Sequence, residues 1–243
     1  MGKTVSFHTL GCKLNYSESS ALARQFAANG YTVVSQNKPA DIYVINTCTV
    51  TEHSDKKSRN IIRKLHRKKI ESERNFGNAK MILDVEDIEK VSSVYSAFSS
   101  GERTRSFLKV QDGCDYKCSY CTIPKARGKS RNLSIAKLVE QAHQIASLGI
   151  KEIVLTGVNI GDFGRTTGES FLELLKQLNE VEGIERYRIS SIEPNLLTRE
   201  IVEWIASGTK FLPHFHIPLQ SGCDEILRRM RRRYNTAMFA EKI

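Results

Sequence analysis

Short apolar runs alternate with amphipathic stretches along most of the chain. Residues 4–10 read as a strand that Gly11-Cys12 breaks. Ser17-Glu18-Ser19-Ser20 then places hydroxyls and an acid where a helix opens. Ala21, Leu22, Phe26 and Ala27 repeat at helical spacing until Asn29-Gly30 ends the run. Residues 31–34 and 41–46 predict two more strands. The second is almost continuously apolar, which predicts a central place in a parallel sheet. Residues 47–51 follow as a loop. A helix is expected over about 54–69, with Lys56, Lys57, Arg59, Arg63, Lys64, Arg67 and Lys68 on one face. This β-α-β-β-α alternation predicts a Rossmann-like, doubly wound unit.

Residues 70–101 break the pattern. Glu71 to Asn78 is polar, residues 80–84 can form a strand, and residues 91–100 are serine-rich and weakly periodic. A domain junction is therefore expected near residue 100, giving domains 1–100 and 101–243. Alternation resumes with a strand at 107–111. A helix capped by Ser134 runs to Ser147, with Ile135, Leu138, Val139, Ala142 and Ile145 on one face. Strands at 152–156, 187–192 and 214–219 are each followed by a helix, at 171–178, 197–207 and 224–232. A glycine-rich loop, 157–168, follows the first of these strands. Four strand–helix units of this kind predict the first part of a β/α barrel, in which chemistry gathers at the C-terminal strand ends.

Charge changes the picture modestly. There are 37 Lys and Arg against 27 Asp and Glu, a formal net charge of +10. That fits a polyanionic partner, RNA above all, and equally a basic solvated surface. No apolar run is long enough to span a membrane, and the first residues enter a strand pattern directly instead of a targeting peptide. A reducing, cytoplasmic location is expected, which suits unpaired cysteines.

The sharpest chemistry is Cys114-Asp-Tyr-Lys-Cys118-Ser-Tyr-Cys121. Three thiolates so close in sequence converge on one small volume. They can satisfy three irons of a 4Fe-4S cube and leave the fourth open. An open iron can chelate the amino and carboxylate groups of S-adenosylmethionine, whose sulfonium is then cleaved reductively to a 5′-deoxyadenosyl radical. Tyr120 is placed to lie against the adenine. A structural zinc or idle thiols are the alternatives, although no second ligand pair follows at zinc-finger distance. Cys12 and Cys48 each fall just past a strand end, the edge where open α/β sheets bind ligands; a small buried apolar residue is the plainer reading of each. His8, His214 and His216 lie in strand patterns and read as satisfied core or rim residues, with His216 able to face the cleft.

Taken together, these stretches identify a resemblance. His8-Thr-Leu-Gly-Cys-Lys-Leu-Asn15, Val44-Ile-Asn-Thr-Cys-Thr-Val-Thr51, Lys109 through Gly128, Glu152 to Gly157, Arg188-Ile-Ser-Ser-Ile-Glu-Pro194 and His216-Ile-Pro-Leu-Gln-Ser-Gly222 resemble the radical-SAM methylthiotransferases. Lys13-Leu14-Asn15 is most similar to the branch acting on N(6)-threonylcarbamoyladenosine in tRNA, next to the anticodon. The isopentenyladenosine and ribosomal-protein branches carry other residues there. The resemblance implies two 4Fe-4S clusters. One, on Cys114, Cys118 and Cys121, cleaves S-adenosylmethionine so that the radical takes hydrogen from carbon 2 of the adenine. The other, an auxiliary cluster with Cys12 and Cys48 among its three ligands, carries the methylated sulfur. Gly157, Asn159, Ser190, Ser191 and Gln220 match positions lining the S-adenosylmethionine pocket. The implied partners are tRNA and an electron donor such as flavodoxin or ferredoxin.

The chain departs from the family in three places. The third auxiliary cysteine has no counterpart, because no cysteine lies between Cys48 and Cys114, so a block of the N-terminal sheet is expected to be missing. Cys223 stands where the family usually has serine and reads as incidental. The last residues fall in the fourth helix, so an incomplete barrel without the family's RNA-binding β-barrel domain is expected. The alternative to full activity is a catalytically impaired chain that binds one cluster and RNA, or a one-cluster radical reaction of another kind.

Overall fold

The computed structural model describes residues 2–47, 52–73, 94–100 and 104–243. The chain divides into two compact units, Met1–Val91 and Ser92–Ile243.

The first unit carries a parallel sheet of β1 (Thr4–Thr9), β2 (Thr32–Val34) and β3 (Ile42–Asn46) in the order β2-β1-β3. Among the described residues the central strand is β1, with the apolar run of β3, which its sequence places centrally, beside it. Each of the five β3 residues keeps part of its surface exposed, and among the described residues only β1 pairs with it. Helix α1 (Lys13–Ala28) begins four residues before the serine cluster. Asn15 explains the early start: its Oδ1 accepts the Cys12 backbone N–H at 3.3 Å, satisfying an amide at the helix entrance. Helix α2 (Glu52–Glu73) buries Ser58 and Leu65 and exposes Lys56, Arg63, Lys64 and Arg67 on the opposite side. Residues 80–84 and Lys68 fall where the structure describes no side chain.

The second unit is built on a parallel sheet of β4 (Ser106–Lys109), β7 (Glu152–Thr156) and β8 (Arg186–Ile189) in the order β4-β7-β8. Between β4 and β7 come β5 (Gln111–Asp112), α3 (Ile123–Arg127), β6 (Arg131–Asn132) and α4 (Ile135–Ser147). Helices α5 (Phe171–Asn179) and α6 (Arg199–Ala206) follow β7 and β8. The apolar faces of α4 and α5 (Leu138, Ala142, Ile145, Leu174, Leu175, Leu178) join Leu108, Ile153, Leu155 and Tyr187 in one buried core. Burying each such side chain is worth about 1.5–3 kcal/mol. Thr198 caps α6 by accepting the Ile201 N–H at 3.3 Å.

Residues 97–99 belong to this unit. Phe98 bridges Leu108 antiparallel, and the N–H groups of Ser99 and Lys109 bond to Phe107 and Ala97 carbonyls at 3.0 and 2.9 Å.

Three expectations need correction here. Residues 214–219 are not a fourth strand; among the described residues their one bridge is His216 to Ser191, and a second isolated bridge, Tyr187 to Phe211, lies just before them. Pro213 precedes the segment and Pro218 lies within it, and neither donates an N–H to a ladder. Strand β8 stops at Ile189, short of Ile192. The last predicted helix ends early, as α7 (Asp224–Arg229), where the chain turns through Arg231 at φ +58 before α8 (Thr236–Glu241). Among the described residues no helix is long and apolar enough to cross a membrane.

Candidate active site

The cysteine loop leaves the sheet at Gln111-Asp112 and returns at Arg131-Asn132. These two segments pair antiparallel, as β5 and β6, so the loop is closed at its base. Buried charge locks the closure. Asp112, about 4 % exposed, receives Lys109 at 3.1 Å, Arg127 at 3.1 Å and Arg131 at 3.2 Å. Burial alone would raise its carboxyl, but these three cations and the Gly113 N–H outweigh that and hold it below the usual carboxylate range. Gly113 turns at φ +69, and a Cβ there would sit 1.9 Å from the Lys129 carbonyl oxygen. Asp115 accepts the Ser130 N–H at 3.1 Å and Arg165 at 2.9 Å.

Gln111 ties this loop to the next strand end. Its Oε1 accepts the N–H groups of Val158 and Asn159 at 3.0 and 2.9 Å. Its Nε2 donates to the Asp112 and Gly113 carbonyls and to Ser130 Oγ. Gly157 is forced by the same contact, since a Cβ would lie 3.0 Å from Gln111 Oε1 and 2.6 Å from Ile160.

All three loop cysteines are free thiols of intermediate exposure. Cys121 N–H bonds to the Cys118 carbonyl at 3.1 Å, a tight turn that brings the two residues' backbones close. Cys114 Sγ accepts the Tyr116 N–H at 3.4 Å, and Cys118 Sγ accepts Arg232 Nη1 at 3.2 Å. Burial pushes the Cys114 thiol up to about 11; the Tyr116 N–H opposes this, and Asp162, Cys118 and Cys121 add to it. Such a thiol ionises readily only against a cation. Among the described residues no three His, Cys, Asp or Glu side chains are gathered tightly enough for a single ion. By number, three thiols can ligate three irons of a 4Fe-4S cube, each sulfur on its own iron.

Around the loop the structure leaves buried polar atoms unpaired. Among the described residues both side-chain atoms of Asn159, Asp162 Oδ2 and Asn195 Oδ1 have no hydrogen-bond partner. Asn195 Nδ2 donates to Tyr116 Oη at 2.8 Å, and Asp162 acts on Cys114. Orphaned groups of this kind are costly without a ligand, and they suit one with amine, carboxylate and ribose groups. Tyr120 is half exposed, with its hydroxyl accepting Arg232 Nη1 at 3.2 Å. Ser190 is partly buried at the end of β8, and Ser191 Oγ lies 2.7 Å from His216 Nδ1. Gln220 is exposed at φ +62. His214 and His216 are both exposed.

Sequence reasoning gave no role to Gln111, Asp112, Glu193 or Arg232. Their signal was proximity to the cysteine and Glu-Pro motifs. In the fold Arg228 and Arg229 pair with Glu225, Arg232 is buried, and Arg233 stacks on Tyr116 with its guanidinium carbon 3.9 Å from the ring centroid.

In the first unit Cys12 is exposed at the entrance of α1. Asn15 Nδ2 donates to Asn46 Oδ1 at 3.0 Å and to the Thr47 carbonyl at 3.3 Å. The loop after β1 and the end of β3 are therefore brought to one edge. Cys48, the next residue, lies outside the described residues.

Residues 4–82 match the family described as "Uncharacterized protein family UPF0004", and residues 108–243 match the Radical SAM superfamily. The "Threonylcarbamoyladenosine tRNA methylthiotransferase MtaB" of Bacillus subtilis is 36% identical over 282 aligned positions, covering 99% of this chain and 62% of that protein. The protein of the same name from Aquifex aeolicus is 34% identical, covering 98% and 68%. The "tRNA-2-methylthio-N(6)-dimethylallyladenosine synthase" of Wolinella succinogenes is 31% identical, covering 100% and 66%. The chain thus spans about two thirds of the curated relatives it matches. The Bacillus alignment is longer than the 243 residues of this chain, so that relative carries segments with no counterpart here.

Proposed function

Because the chain belongs to the radical-SAM methylthiotransferase family, we propose that it methylthiolates carbon 2 of N(6)-threonylcarbamoyladenosine in tRNA, next to the anticodon. The observation that carries this reading is the pinned loop of three free thiols, at the C-terminal edge of a parallel sheet, beside unpaired buried polar atoms. Cys114, Cys118 and Cys121 would hold a 4Fe-4S cluster, which when bound supplies the electron that cleaves S-adenosylmethionine. Tyr120 would support the adenine. Asn159, Ser190 and Ser191 would meet the ribose and the methionine amine and carboxylate. Gly157 acts by letting the backbone pass close to Gln111, and Gln220 stands at the exposed rim. Asp112, Gln111 and Gly113 hold the loop closed at its base.

The partners on this reading are tRNA and a low-potential electron donor such as flavodoxin or ferredoxin, in the reducing cytoplasm. Lys56, Arg63, Lys64 and Arg67 offer phosphates an exposed basic face. An auxiliary cluster would draw on Cys12 and Cys48.

A second reading has its own observation, the lack of any cysteine between Cys48 and Cys114. Two thiolates hold a cube poorly, so this chain would assemble one cluster and transfer sulfur weakly or not at all.

Iron and sulfide analysis with EPR, on anaerobically reconstituted protein, tests both. About four irons per chain and a signal perturbed by S-adenosylmethionine are expected for the loop cluster alone, and about eight for two clusters. No iron refutes the proposal. Repeated turnover to methylthiolated tRNA refutes the second reading.

A further inference from the structure

The arginines near residue 230 do different work. Arg228 and Arg229 lie on the exposed side of α7 and pair with Glu225. Arg232 has a side chain only 4% exposed. The left-handed turn at Arg231 redirects the chain to deliver it there.

Every edge of its guanidinium is used. Nε donates to Tyr234 Oη at 3.3 Å. Nη1 donates to Cys118 Sγ and to Tyr120 Oη, both at 3.2 Å. Nη2 forms an ion pair with Glu193. Tyr234 is itself fixed, donating to the Pro218 and Leu219 carbonyls at 2.6 and 2.9 Å, with its ring under the guanidinium at 5.1 Å. A buried charge needs such pairing. Glu193 neutralises most of it and fixes the plane of the fork, so one N–H is left aimed at a sulfur.

We propose that Arg232 is a positioning residue that holds the Cys118 thiolate and raises the reduction potential of the cluster bound by Cys114, Cys118 and Cys121. This rests on the reading of those cysteines as cluster ligands. An N–H aimed at a ligand sulfur draws charge from it and favours the more negative, reduced cluster. Hydrogen bonds to cluster sulfurs are among the determinants of potential. Glu193 and Tyr234 direct the bond, and neither touches a cysteine in the hydrogen bonds of the site.

The test is an EPR-monitored redox titration of the full chain, loaded anaerobically with iron and sulfide and without S-adenosylmethionine. About four irons and a reduced-cluster signal in the wild type establish the ligand reading; a wild-type chain that takes up no iron overturns that reading and this inference with it. Arg232→Met is expected to load the same iron and to shift the oxidised-to-reduced ratio at fixed poise about tenfold toward oxidised, equivalent to about 59 mV for one electron. Arg232→Lys keeps the charge but not the fork, and is expected to shift part of the way. Full iron with an unchanged potential in Arg232→Met overturns the proposal. If that variant fails to load, a wild-type potential and line shape in Arg232→Lys overturn it equally.

Discussion

Gln111 accepts the backbone N–H of Asn159 through its side-chain Oε1 at 2.9 Å, and so couples the entrance of the cysteine loop to the end of β7. The side chain is fully buried. Gln111→Leu keeps the size and deletes all of its bonds, leaving two backbone amides unpaired. Each unpaired amide costs about 1–3 kcal/mol, so a loss of about 3 kcal/mol is expected. A urea midpoint that falls with an unchanged slope is the check; an unaltered midpoint contradicts the account.

Asp112 predicts how the protein responds to acid. Its carboxyl is held low against the opposing effect of burial, so its stabilisation is complete above the unfolded value of about 3.9 and is lost as pH falls through the lower folded value. Urea midpoints of metal-free protein should therefore drop below about pH 4. Asp112→Asn leaves Lys109 and Arg131 buried without their carboxylate. It should cost about 3–5 kcal/mol at neutral pH and flatten the acid limb. An unflattened limb would assign the acid response elsewhere.

The loop cysteines and the remaining ones should separate cleanly. Single alanine variants of Cys114, Cys118 or Cys121 are expected to lose the S-adenosylmethionine-sensitive EPR signal and most of the iron. Cys223→Ser should keep both, since Cys223 is exposed and its thiol makes no hydrogen bond among the described residues. Iron retained in Cys118→Ala would remove that residue from the ligand set.

Two glycines with similar dihedrals should respond differently. Gly113 and Gly168 sit at φ +69 and +74, but a Cβ at Gly113 meets backbone at 1.9 Å and one at Gly168 meets nothing within 4 Å. Gly168→Ala should cost about 1 kcal/mol, the strain of a left-handed residue. Gly113→Ala must also move the Lys129 carbonyl and should abolish the folded loop. Thermal melts and iron uptake compare the two, and equal losses would mean that strain alone decides both.

The long apolar periodicities were legible in the sequence. Helices α4, α5 and α6 and strand β7 lie close to where their patterns place them, because each buries one continuous apolar face in the core. Elements held by polar groups were not. The β5–β6 pair and α3 are short and rest on Asp112, Arg127 and Arg131, a network that hydrophobic period cannot reveal. The start of α1 depends on one Asn15 oxygen. At 214–219 the apolar spacing suggested a strand, and Pro213 before it and Pro218 within it had the larger effect. Arg232 was hidden among five arginines between 228 and 233 that look alike in sequence; the turn at Arg231 sets it apart from Arg228 and Arg229, and its burial from Arg233.

The bridge between Phe98 and Leu108 also has a bearing on how this unit could grow. It lies along β4, the first edge of the β4-β7-β8 sheet, where a second chain would otherwise find unpaired amides. On the other edge Tyr187 exchanges backbone bonds with Lys210 and Leu212, and the Ile192 N–H reaches the His216 carbonyl. Among the described residues both edges are thus partly covered by the unit's own chain, so a strand from a second copy would find few free amides on either side.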